Sequence, residues 1–153
     1  MNKFKSILVV LAAAMLAIAC QKESAGTKVQ YLDVTPNNLV GKWQLVEFNG
    51  EPLVGGTYFY IEFVRKDRKF TIWQNFDSIS NNAHVETGTF NITTDVEFGA
   101  IIIGRYDNVY DGGHWSHKYE VNDLTSDSMT WVVAYEDNVH VQKFVRVDDI
   151  PVK

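Results

Sequence analysis

The residues that could do chemistry gather in one stretch, between Tyr106 and His117. His114-Trp115-Ser116-His117 sets two histidines three apart. Zinc enzymes of the helical type place their two histidines one turn apart. This segment reads as a strand, where side chains alternate, so the two rings fall on opposite faces. Ser116 beside His117 has neither a third partner nor an elbow motif, and it nominates no nucleophile. Asp107, Asp111 and His114 can approach one another in the preceding loop. They lack the Asp-rich run and closing Glu of a calcium loop, and solvated turn residues explain them more simply. His84 and His140 stand at strand starts and read as surface groups. No phosphate-binding glycine loop is present. The sequence therefore nominates no catalytic residue, no metal site and no cofactor, and an enzyme is not expected.

The remaining reactive group is Cys20, the single cysteine. One thiol makes no intramolecular disulfide and no cysteine metal cluster. Its position is informative. Lys3 and Lys5 give a short positive start, and residues 6–19 carry no charge and are almost all apolar. That run is shorter than the roughly 20 apolar residues a spanning helix needs. It has the length and flanks of a signal-peptide core. Leu16-Ala17-Ile18-Ala19-Cys20 resembles the lipobox of bacterial lipoproteins. The resemblance implies a signal peptide over 1–19, cleavage before Cys20, a diacylglyceryl group on its thiol and a lipid-anchored protein of the cell envelope. More than one acyl chain suits this reading, because a single chain binds a membrane only marginally. Gln21 follows the cysteine, without the aspartate that retains some lipoproteins in the inner membrane, so the resemblance favours the outer membrane. The face of that membrane stays open.

Residues 20–38 read as the lipidated cysteine and a flexible polar tether. An ordered arm packed on the domain is the alternative, which Tyr31 and Leu32 would allow. Residues 39–153 have the length of one small domain. The formal net charge of -5, without basic clusters, argues against nucleic acid as a partner.

The domain reads as all-β. Eight candidate strands cover about 41–49, 57–64, 69–76, 84–92, 98–105, 115–122, 128–135 and 139–147. They are rich in Val, Ile, Thr, Phe, Tyr and Trp, and many alternate with period two. Short turn-like connections make successive strands hairpin neighbours. Closing such a meander into an eight-stranded up-and-down antiparallel β-barrel removes its open edges. An antiparallel β-sandwich is the alternative.

The opening segment Asn38-Leu39-Val40-Gly41-Lys42-Trp43-Gln44-Leu45-Val46 resembles that of lipocalin-like domains, where Gly-x-Trp lies on the first strand. Tyr119 through Trp131 is similar to their penultimate hairpin, and Phe144-Val145-Arg146 to their closing strand. The resemblance implies that Trp43 plugs the closed end of a barrel and that Arg146 covers it. It also implies a binding protein for a small apolar molecule.

Two functional readings follow. An eight-stranded barrel is just wide enough to be filled by side chains or to hold one small ligand. In the first reading Phe59, Phe70, Trp115, Tyr119 and Trp131 line a cavity that opens away from Trp43 and holds a hydrophobic or amphipathic molecule. In the second, the same aromatics fill the barrel, which docks on an envelope protein partner. The loop bearing Tyr106, Asp107, Tyr110, Asp111 and His114 is the candidate ligand or partner loop, since tyrosines suit recognition. An ordinary long hairpin loop explains it as well.

Overall fold

A computed structural model describes residues 28–76, 82–108 and 113–152. The signal segment 1–19, Cys20 and the first part of the expected tether lie outside them, as do Tyr110 and Asp111.

The chain enters through one helical turn, α1 (Pro36–Leu39). Thr35 caps it, its hydroxyl accepting the Asn38 N–H at 3.3 Å, and Pro36 occupies the first turn, where a missing N–H costs nothing. Nine strands follow among the described residues. They are β1 (Gly41–Phe48), β2 (Glu51–Pro52), β3 (Phe59–Val64), β4 (Lys69–Gln74), β5 (His84–Asp95), β6 (Gly99–Tyr106), β7 (Lys118–Asn122), β8 (Ser128–Ala134) and β9 (Val141–Val147). Every neighbouring pair is antiparallel, and β9 pairs back onto β1, with Trp43 opposite Arg146. Eight strands thus close a barrel, and the sandwich alternative is overturned by the β1–β9 ladder. The pairing shifts register between Leu45 and Glu47, a bulge that bends β1 where the barrel closes.

The ninth strand was not expected. β2 is two residues long and pairs with the end of β1. Asn49 and Gly50 both hold positive φ, at 53° and 85°, as a two-residue type I′ hairpin requires. Pro52 has no N–H to give and sits at an edge.

Period-two alternation sends Ile61, Phe63, Phe70, Ile72, Met129, Trp131 and Phe144 inward, where all are buried. Phe63 meets Phe90 edge-on at 4.8 Å, and Trp131 meets Phe144 at 4.7 Å. Each such side chain contributes about 1.5–3 kcal/mol on burial.

The expected tether differs from the observed chain. From Leu32 onward it is an arm laid on the barrel, the alternative to a tether. The Leu32 N–H donates to the Leu124 carbonyl at 2.8 Å, and Leu32 and Val34 pack against the core. Two apolar side chains among polar neighbours gave no periodic signal, yet they bury enough surface to dock the segment. Residues 20–27 of the expected tether lie outside the described residues.

Candidate functional site

The two ends of the barrel differ. At one end Trp43 is fully buried, and its indole N–H donates to the Leu39 carbonyl at 2.9 Å. The Arg146 guanidinium lies 4.1 Å from the Trp43 ring centroid. It donates to the carbonyls of Ser126 at 2.5 Å, Val40 at 2.5 Å and Asn38 at 3.1 Å. Burial lowers the Arg146 pKa, and Asp127 acts in the opposite sense. Gly41 carries φ +124°, and a Cβ there would collide with the guanidinium. This end is closed, the 38–40 segment and the turn at Ser126 being stitched through one cation.

At the other end a cavity of about 240 Å³ opens between the strand ends. Phe59, Trp115, Tyr119 and Trp131, four of the five candidate lining residues, wall it. Phe70 does not. It lies beneath the floor, 1% exposed, its ring 5.1 Å from that of Trp115 and 5.8 Å from that of Tyr106. Position along β4 decides this, because Ile72 and Gln74 stand above it on the same face.

Two glycines make the room. Gly88 and Gly104 face inward on β5 and β6, and a Cβ on either would enter the Phe70 or the Trp115 ring. Trp115 therefore lies flat on the β6 backbone. Its stack continues through Trp131 at 5.6 Å, and Tyr119 lies 5.1 Å from Trp131. The indole N–H groups of Trp115 and Trp131 are buried with no hydrogen-bond partner among the described residues. Each such loss costs about 1–3 kcal/mol.

The polar part of the lining comes from residues the sequence did not single out as ligand-facing. Gln74, Gln142, Ser116, His117 and His140 join Phe48 and Phe76 around the cavity. His140, expected at the surface, is drawn in beside Phe48, 5.3 Å away. The signal available was the alternation that puts His117 with Trp115 and Tyr119. No pattern before β9 pointed to His140. His117 Nδ1 lies 2.8 Å from a Glu136 oxygen, and Gln74 donates to Glu86 at 2.9 Å. Gln142 donates to the Tyr119 hydroxyl at 3.5 Å. Burial raises the Tyr119 pKa and the charge of Glu136 adds to the rise, while the bond from Gln142 opposes it.

The candidate loop is divided. Tyr106 faces the cavity. Asp107 lies on the outside, 3.6 Å from the Lys69 amine and accepting the Thr87 hydroxyl at 2.7 Å. His114 is exposed and bridges Arg105. Alternation along the hairpin separates them, so these three do not form one site.

The profile of the lipocalin-like domain family matches residues 39–131, which runs from the last residue of α1 into β8. The chain belongs to the lipocalin-like domain family. This lipocalin-like barrel is similar to a solved variant of the fluorescent protein UnaG, at 15% identity and a TM-score of 0.41, over 75% of this chain and 100% of that one. It is also similar to the bovine lipocalin allergen Bos d 2, at 10% identity and a TM-score of 0.40, over 78% of this chain and 79% of that one. A search of curated proteins gives no match. Among the described residues of the lipocalin-like domain, no group of three or more His, Cys, Asp or Glu is placed to hold a metal ion.

Proposed function

We propose that this lipocalin-like domain binds a small hydrophobic or amphipathic molecule and that Cys20 anchors it by lipid to the outer membrane. It acts as a holder or carrier and not as an enzyme. The observation that carries the binding reading is the aromatic-walled cavity at the end opposite Trp43. Its volume falls below the roughly 300–1,000 Å³ of sites for drug-sized molecules, so the ligand is compact. The anchoring reading rests on the apolar run 6–19 and the lone cysteine that ends it.

The binding test uses N-phenyl-1-naphthylamine, a small apolar probe that brightens out of water. Added to the full chain, it gains fluorescence and quenches the tryptophans of the wall. Phe59→Asp weakens both effects. No fluorescence gain contradicts the reading and leaves docking on an envelope protein partner as the function. The anchoring test is Cys20→Ala, which releases the protein from the membrane fraction. Retention at unchanged mass contradicts the anchor.

A further inference from the structure

We propose that the cavity selects a compact planar aromatic molecule bearing an N–H or O–H donor, as a phenol or arylamine does, and disfavours a carboxylate. This rests on the reading that the cavity holds a ligand.

Shape comes first. Tyr119 and Trp131 lie 31° from parallel, and Trp115 and Trp131 lie 35° from parallel. Such a wall favours a flat ring stacked against it. The small volume leaves no room for a long acyl chain.

Charge comes next. Among the described residues, no Lys or Arg lines the cavity. The loop segments 77–81 and 109–112 contain none either. Carboxylates stand close behind the lining, Glu136 behind His117 and Glu86 behind Gln74, the latter also 3.7 Å from the His84 ring. Burial first, and the charge of Glu136 in addition, raise the pKa of Tyr119 on the cavity wall. An anion placed there meets like charge without a counter-ion, which costs affinity.

Hydrogen bonding decides the polarity. A carboxylate only accepts, so the proton between Glu136 and His117 belongs to Nδ1. That leaves His117 Nε2 as a lone pair, and it makes no hydrogen bond among the described residues. The indole donors of Trp115 and Trp131 are sealed within the packed wall and do not supply a matching donor. A ligand O–H or N–H bonded to Nε2 completes a chain through His117 to Glu136, and each bond in such a chain polarises the next.

The test holds the ring constant. 2-Naphthol, 2-methylnaphthalene and 2-naphthoate are titrated into the full chain by calorimetry at neutral pH. The naphthol binds about tenfold or more tighter than the naphthoate. Its advantage over methylnaphthalene disappears in His117→Phe, which still binds methylnaphthalene. In Glu136→Gln the penalty on naphthoate shrinks. Naphthoate binding as tightly as naphthol overturns the inference and leaves the carrier reading intact. A naphthol advantage unchanged in His117→Phe, or a naphthoate penalty unchanged in Glu136→Gln, overturns it equally. Failure of all three compounds to bind overturns the carrier reading itself.

Discussion

Arg146 shows how much one side chain can fix. Its guanidinium covers the Trp43 ring and donates to three carbonyls on two segments, 38–40 and the turn at Ser126. A lysine has one nitrogen and no planar face, so it cannot replace that set. The cation–π contact alone is worth about 0.5–2 kcal/mol. Trp43→Ala removes the plug and lowers stability by about 3–5 kcal/mol, read from the denaturant midpoint. An unchanged midpoint contradicts the role. A second residue-scale prediction concerns Asp95. The Tyr135 hydroxyl donates to it at 2.6 Å, and this bond, with the N–H groups of Phe98 and Glu97, lowers its pKa. A depressed carboxylate stabilises the fold above its unfolded pKa, and loses that contribution as pH falls through its folded pKa. Tyr135→Phe therefore raises the Asp95 pKa in an NMR titration and weakens the protein's resistance to acid. At this scale the sequence was partly legible. Gly41-x-Trp43 could be read because a glycine and a tryptophan at that spacing mark the start of such a barrel. His140 could not, because only the tertiary fold brings it beside Phe48.

At the scale of elements, each strand is a ruler whose parity the sequence shows and whose height it does not. Period two placed Phe70 and Trp115 on inward faces, and both are inward. Which of them reaches the cavity depends on how high its position stands in the barrel, and Phe70 lies one layer down. The glycines of β5 and β6 are the counterpart of these rings. Gly104→Ala drives a methyl into Trp115. The expected cost is about 1–3 kcal/mol, with the Trp115 ring displaced toward the cavity. Thermal melting checks the first effect, and weaker binding of the naphthylamine probe checks the second. A full-strength site in that variant contradicts the packing described. The arm before α1 was the least legible element. Leu32 and Val34 are too few for a pattern, and their docking depends on a carbonyl ninety-two positions away, at Leu124. Leu32→Ala lowers stability by about 1–2 kcal/mol if the arm holds the barrel as the contacts indicate, and chemical denaturation measures it.

The whole molecule is a barrel with two unlike halves. One half is filled from Trp43 to Phe70, and the other opens into the cavity. The sequence left a filled barrel and a hollow one as alternatives, and the structure contains both in series. Closure was legible because short turns leave an eight-strand meander few other ways to hide its edges. The cavity was not legible, because a stripe of aromatics looks the same whether it packs a core or walls a pocket. The division of labour follows from the ends. The closed half supplies stability, and the open half is free to carry unpaired polar groups. The most direct measurement is native mass spectrometry on the protein purified from the cells that make it. A discrete extra mass, compact-molecule in size, is expected to leave on activation, separate from the lipid proposed on Cys20. A chain that carries no such mass under the same conditions contradicts the binding reading.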